Sequence, residues 1–328
     1  MKRVLAGIRA TSNLHLGNYL GAVKGMLELQ KNDEYETFYM VADLHAITTP
    51  FNPQSLIKDR YEVVLDYLAC GIDPSKSTLF LQSEVPEHAE LSFYLASLVT
   101  IARMQHLPTF KDKIKESSQG ASLALLNYPI LMAGDILLYK ADLVPVGIDQ
   151  EPHLEVAREI ARKLNQNYNL DFPEPTRFAT TGEYVPSLTG EGKMSKSVAG
   201  SSIKLTDSLD QISLKLASVP TDSGKGDTIP LSGGVATLLK LIELFVDTNK
   251  RKFYEEQYLG EGIRYKELKE NLAQVIFDDL LPIQKRRIEY EKDPKKVETI
   301  VQEGSVRAGE VAKSNLNEIK KAMGFLSN

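Results

Sequence analysis

Tryptophan is absent from this 328-residue chain, and cysteine occurs once, at Cys70. A lone cysteine excludes an internal disulfide and a cysteine-rich metal site, and it reads as a small buried hydrophobe. The five histidines include no His-Glu-x-x-His spacing, so no resident metal is expected. A Walker-type phosphate loop is missing too, because Gly224-Lys225-Gly226 lacks the upstream glycine and the following Ser or Thr. No apolar run reaches the roughly 20 residues that span a bilayer, so no membrane association is expected. Lys2 and Arg3 precede too few apolar residues for a secretory leader, which makes a cytoplasmic protein the expectation. The net charge of −5 argues against general coating of nucleic acid, yet it leaves room for RNA on a local basic face.

What is present is an ordinary globular composition, 42% hydrophobic and 25% charged, at a length that suits one large core plus a smaller second domain. In the first half, strand-like apolar runs at 4–8, 38–41 and 78–82 alternate with helical stretches at 17–30, 53–70 and 88–101. That alternation predicts an α/β fold on a parallel sheet. Asp171-Phe172-Pro173-Glu174-Pro175 closes this region, and the Gly/Ser-rich residues around 193–202 mark a hinge. Beyond residue 207 the pattern turns helical, at 209–216, 237–246, 265–281, 283–292 and from Pro294 onward, with a polar linker at 221–228. Gly17, Gly21 and Gly25 line one stripe of the first helix, where each costs about 1 kcal/mol relative to alanine. Packing on the sheet accounts for Gly21 and Gly25; Gly17, at the helix start, points to close approach of a ligand.

Two short motifs carry chemistry. His15-Leu16-Gly17-Asn18 stands where a strand turns into a helix, a place where free N–H groups and the helix dipole favour a phosphate. Lys193-Met194-Ser195-Lys196-Ser197 sets two cations three residues apart, bracketed by Gly190, Gly192 and Gly200, which suits a loop closing over a polyphosphate. Taken alone, a histidine at a helix start is as readily a cap. Asp135 lies in the segment from Tyr128 to Tyr139; on a helix its neighbours are Leu131, Met132, Leu138 and Tyr139. A carboxylate on that apolar face needs a partner, either a protein cation or a ligand donor. Asp43-Leu44-His45 follows a strand, where sheet ends present ligand contacts, and His45 fits either a substrate contact or a structural role. His88 and His106 read as structural or as interface residues.

In order and separation, these motifs strongly resemble the His-Ile-Gly-His and Lys-Met-Ser-Lys-Ser signatures of class I aminoacyl-tRNA synthetases. The flanks, Gly7-Ile8-Arg9-Ala10-Thr11 and Tyr19-Leu20-Gly21-Ala22, are most similar to the tryptophanyl family, and the likeness runs from Gly7 to Gly324. It implies a Rossmann-type parallel-sheet catalytic domain over 1–192, with a dimer-forming insertion at 84–124, and a smaller all-α C-terminal domain. It further implies a mobile lysine loop at 193–201, a helical anticodon-binding domain at 202–292, and a last helix at 293–328 returning to the catalytic domain. The implied activity is tryptophan–tRNA ligation by a homodimer. L-tryptophan and ATP, carried with Mg²⁺, give tryptophanyl-adenylate and pyrophosphate, and the tryptophanyl group then passes to tRNA(Trp).

Attack of a carboxylate on the α-phosphorus needs alignment and charge stabilisation rather than a covalent protein intermediate. The resemblance therefore casts His15, Asn18, Lys193 and Lys196 as catalytic. It adds Arg9, Ala10, Thr11, Gly17, Gly147, Ile148, Asp149, Val185, Met194, Ser195 and Ser197 as ATP contacts. Asp135 would accept the indole N–H, with Tyr128, Met132, His45, Val144, Val146 and Gln150 completing the tryptophan pocket; Val144 and Val146 also read as core strand. Two departures stand out: Arg9-Ala10-Thr11-Ser12 replaces the family's Gln-Pro-Ser/Thr-Gly, and Ile148 replaces a Glu. The tyrosyl sister family usually carries a tyrosine and an aspartate where this chain has Leu5 and Arg9. Two further alternatives are a nucleotidylyltransferase, which the helical C-terminal third disfavours, and a non-catalytic RNA-binding paralogue, which the intact motifs disfavour. The clusters Lys250-Arg251-Lys252 and Lys285-Arg286-Arg287 suit RNA phosphates or a solvated helix face equally.

Overall fold

A computed structural model describes residues 1–108, 110, 122–180, 182, 184–196 and 198–327. Strand β1 (Lys2–Arg9) pairs in parallel with β2 (Tyr35–Ala42), from Lys2 opposite Tyr35 to Arg9 opposite Ala42. β3 (Ser77–Leu81) extends the sheet beyond β2, while the short strands β4 (Leu143–Pro145) and β5 (Thr176–Phe178) extend it beyond β1. The order is β3-β2-β1-β4-β5, all parallel. Connections from β1 lead one way across the sheet and the later ones lead the other, so the crevice outside the ends of β1 and β4 is a topological switch point.

Side chains alternate between the two faces with the period of two that a strand imposes. Val4, Ala6, Tyr39 and Val41 enter one core; Leu5, Phe38, Met40 and Phe80 enter the other. The first core is covered by a continuous helix made of α1 (Leu16–Asn18), a π-helical turn at Tyr19–Val23 and α2 (Lys24–Leu29), and by α3 (Pro53–Cys70). The second is covered by α4 (Glu87–Ala96), α5 (Ile101–Gln105), α6 (Leu123–Leu138) and α7 (Glu151–Tyr168). The region after Ser202 is helical: α8 (Leu209–Ala217), α9 (Gly233–Phe245), α10 (Thr248–Leu259) and α11 (Tyr265–Glu291), with α11 packed on α3 and α8. Helix α12 (Pro294–Ala322) crosses β3, α4 and α6. At the crossing, a Cβ on Gly304 would lie 1.8 Å from the carbonyl oxygen of Leu79, so only glycine fits.

Several boundaries differ from the sequence expectation. The helix expected over 88–101 ends at Ala96, and Thr100 caps a new one through the Arg103 N–H at 3.2 Å. The two helices expected on either side of Pro282 are a single α11, the proline being accommodated inside it. α10, started by an Asp247 cap on the Lys250 N–H, was not anticipated, nor was the three-residue strand β5; β4 takes up the core-strand reading of Val144 but ends at Pro145, before Val146. Part of the expected insertion at 84–124 lies outside the described residues.

Candidate active site

The ends of β1 and β4 open into one cleft of about 1540 Å³ that holds both motifs and the Asp135 segment. At its inner end α6 carries Asp135, which is only 1% exposed. The apolar face of α6 leaves this carboxylate no solvent, and the protein surrounds it with donors. His88 Nδ1 lies 2.6 Å and Gln82 Nε2 2.8 Å from Oδ1, and His45 Nε2 lies 2.8 Å from Oδ2. His88 is oriented in turn by the Tyr139 hydroxyl at 2.9 Å from its Nε2. Burial pushes the Asp135 carboxyl up, but the hydrogen bonds from His45 and His88 outweigh it and hold the group well below the usual carboxylate range. A carboxylate offers about four lone-pair sites. Three are taken here, which leaves one on Oδ2, and Asp135 is among the residues that line the cleft.

Tyr128, Met132, Val144, Val146 and His45 line the same end of the cleft, with Gln150. Tyr128 bonds His153 Nε2 at 2.8 Å. Leu5, Gly7 and Met40, from the ends of β1 and β2, also line it and were not foreseen. Gln82 and His88 were likewise missed as partners of Asp135. The signal was available: a carboxylate on an apolar helix face demands neutral donors or cations from the neighbouring elements, and Gln82 stands at the end of β3.

At the outer end, His15 caps α1. Its Nδ1 accepts the Asn18 N–H at 3.3 Å, and Asn18 Oδ1 accepts the His15 N–H at 3.3 Å. The cap fixes the tautomer, leaving the proton on Nε2. Burial, helped by Lys196 and Lys193, lowers the His15 pKa to about 4, so the ring is a neutral donor at pH 7. Gly17 makes room for this imidazole rather than only for a ligand: a Cβ there would lie 2.8 Å from His15 Cε1.

The lysine motif folds against this turn. Met194 N–H bonds Val185 O at 2.8 Å, and the Leu16 N–H bonds Ile203 O at 2.9 Å, so both flanks of the loop are pinned. Lys193 Nζ reaches Asp149 Oδ1 at 3.1 Å, and Gln150 Nε2 reaches Asp149 Oδ2 at 2.6 Å. Lys196 Nζ donates to Ser12 O at 2.7 Å. Burial lowers the Lys196 pKa to about 8, against the pull of Asp66 and Asp59. Arg9 lines the cleft between the two ends; its Nη2 donates to Thr49 Oγ1 at 3.2 Å, and its buried Nε has no hydrogen-bond partner among the described residues.

Of the expected ATP contacts, Arg9, Thr11, Gly17, Asn18, Gly147, Asp149, Lys193, Met194, Ser195 and Lys196 line the cleft. Ala10 and Val185 are core residues, 1% and 0% exposed, and Ile148 points to solvent; none of the three is in the lining. Ser197 lies outside the described residues. Among the described residues no group of three or more His, Cys, Asp or Glu is placed to hold a metal ion, and no helix is long and apolar enough to cross a membrane.

A parallel sheet with a nucleotide-type cleft at its switch point, closed by a lysine loop, defines a class I activating fold. A family model described as tRNA synthetases class I (W and Y) matches residues 1–280, and the chain belongs to that family. It is 38% identical to the tryptophan–tRNA ligase of Porphyromonas gingivalis, covering 99% of this chain and 100% of that one. Its fold is similar to tryptophanyl-tRNA synthetase from Mycoplasma pneumoniae, with a TM-score of 0.87, 32% identity, and 100% and 98% of the two chains covered. The Campylobacter jejuni tryptophanyl-tRNA synthetase complexed with ADP and tryptophan matches with a TM-score of 0.83 and 30% identity, over 98% and 99% of the chains.

Proposed function

We propose that this chain is a tryptophan–tRNA ligase. The observation that carries this reading is the buried Asp135 carboxylate, which keeps one acceptor position for a ring N–H beside the apolar Met132, Val144 and Val146. Phenylalanine has no such donor, and an unpaired buried acceptor discriminates strongly against it. L-tryptophan lies with its ring between Met132, Val144 and Val146 and its carboxylate toward Arg9. A carboxylate oxygen attacks the α-phosphorus of ATP, which arrives as its Mg²⁺ complex, and the bond to pyrophosphate breaks. His15 Nε2–H, Asn18, Lys193 and Lys196 stabilise the charge that shifts onto the phosphoryl oxygens. A ribose hydroxyl of tRNA(Trp) then attacks the activated carbonyl and AMP leaves.

The region over 202–292 is read as the anticodon-binding part, with Lys250 and Lys252 offered to RNA phosphates, and 84–124 as part of a homodimer contact. A cytoplasmic place follows from the reaction. The test is amino-acid-dependent exchange of label between pyrophosphate and ATP, run against all twenty amino acids. Exchange with tryptophan, and far less with tyrosine or phenylalanine, is the expected result; robust exchange with tyrosine and none with tryptophan would overturn the reading.

A further inference from the structure

Away from the cleft, Arg287 of α11 is 6% exposed and surrounded by carboxylates. Its guanidinium contacts Asp66 and Glu62 of α3 and, through Nε at 2.9 Å, Glu291 of its own helix. Both α3 carboxylates have a second partner, and both partners lie in the turn just before His15. The Leu14 N–H donates to Asp66 Oδ2 at 2.7 Å, and Asn13 Nδ2 donates to Glu62 Oε2 at 2.7 Å. Two parallel paths therefore join α11 to consecutive residues of the turn, one through Asp66 to Leu14 and one through Glu62 to Asn13. On its other side the same turn is held by the Leu205 N–H on Leu14 O at 3.0 Å, from the chain that follows the lysine loop.

A buried ion pair is poor evidence for stability, because desolvation of both charges offsets their attraction. What charge-assisted bonds do supply is direction, and here they point a backbone N–H and a side-chain amide of the turn. We propose that Arg287 is a positioning residue for amino-acid activation: through Asp66 and Glu62 it fixes residues 13 and 14, and thereby His15 and Asn18. This rests on reading the His15 turn as part of the activation machinery.

The experiment compares the whole protein with Arg287→Met, Arg287→Lys, Asn13→Ala and the Asn13→Ala/Arg287→Met double variant. Tryptophan-dependent pyrophosphate exchange gives kcat and KM, and amide hydrogen exchange of the peptide over residues 10–18 is read without any substrate. Arg287→Met is expected to lower kcat about 10-fold while KM for tryptophan stays within about twofold, and Arg287→Lys to recover part of the loss. Because the paths converge, the double variant should lose less than the product of the two single losses. Hydrogen exchange over 10–18 should quicken in Arg287→Met. Asn13→Ala leaves the Asp66 pair in place and keeps the test open should Arg287→Met not fold; it is expected to lower kcat about threefold at an unchanged melting temperature. Wild-type kcat in either variant, or unchanged hydrogen exchange over 10–18 in a folded Arg287→Met, overturns the proposal. Absence of tryptophan-dependent exchange in the unmodified protein would instead overturn the functional reading, and the hydrogen-exchange arm separates the two failures.

Discussion

The two ends of the cleft are built by opposite means. At the inner end Asp135 is locked by His45, Gln82 and His88, with Tyr139 behind His88, every member buried on a helix, a short helical turn or a helix end beside the sheet. At the outer end Lys193 is 40% exposed on its side chain and pairs with the half-exposed Asp149, on a loop where Gly192 and Gly200 take positive φ with nothing beside them. The inner end is preorganised for one shape. The outer end holds its cations on protein partners that a polyphosphate must replace. Selectivity should therefore live at the first end and rate at the second.

Breaking the inner end should have the largest effect. Asp135→Ala removes the acceptor and strands buried donors, and kcat/KM for tryptophan should fall by ~10³ or more, with selectivity over phenylalanine eroded. Equal selectivity in the variant, measured by pyrophosphate exchange, would remove Asp135 from the pocket. Next come Lys193→Ala and Lys196→Ala, each expected to cost ~10²–10³ in kcat for adenylate formation with tryptophan affinity unchanged. A variant that bound tryptophan weakly yet turned over at full rate would place the loop at the wrong end.

A smaller effect comes from pH. Burial leaves Lys196 with a pKa of about 8, so the free enzyme loses this cation as pH rises through that value. The kcat/KM for ATP should fall on the alkaline side of pH 8, and Lys196→Arg, always protonated, should flatten that limb. His15, at about 4, is already neutral and contributes no limb near neutrality. The smallest effect concerns Ser12, whose φ of 61° is left-handed where the family usually carries glycine. Ser12→Gly should raise stability by about 0.5–1 kcal/mol in thermal denaturation, since it relieves the Cβ clash of that conformation while Lys196 keeps its carbonyl partner.

The same contrast explains what was legible beforehand. Alternating apolar runs gave away β1, β2 and β3, and the helical stretch expected over 53–70 is α3, which Asn52 caps and a left-handed Gly71 ends. β5, three residues long, carries too little pattern to be seen, and β4, the strand that creates the switch point, showed only as the core-strand reading of Val144 and Val146. The two motifs located the outer end because their chemistry is local in sequence. The inner end was only half visible: Asp135 advertised a missing partner, but Gln82 and His88 are brought to it from 53 and 47 residues away, and only the sheet does that. Val185 has its side chain in the core, and its carbonyl accepts the Met194 N–H, which ties it to the lysine loop. Arg287 lay in a basic run that looked like a solvated face, and nothing in the run distinguishes its buried guanidinium from the neighbouring Lys285.

The central claim, that the Asp135 pocket takes an indole, has a direct optical test. The chain has 14 tyrosines and no tryptophan, so the ligand would be the only indole in the complex. Excited selectively, free tryptophan should shift its emission to the blue and become more polarised when excess protein is added, and indole analogues should reverse the change by competition. Emission that stays at the position of free tryptophan, with protein that is active in pyrophosphate exchange, would contradict the claim.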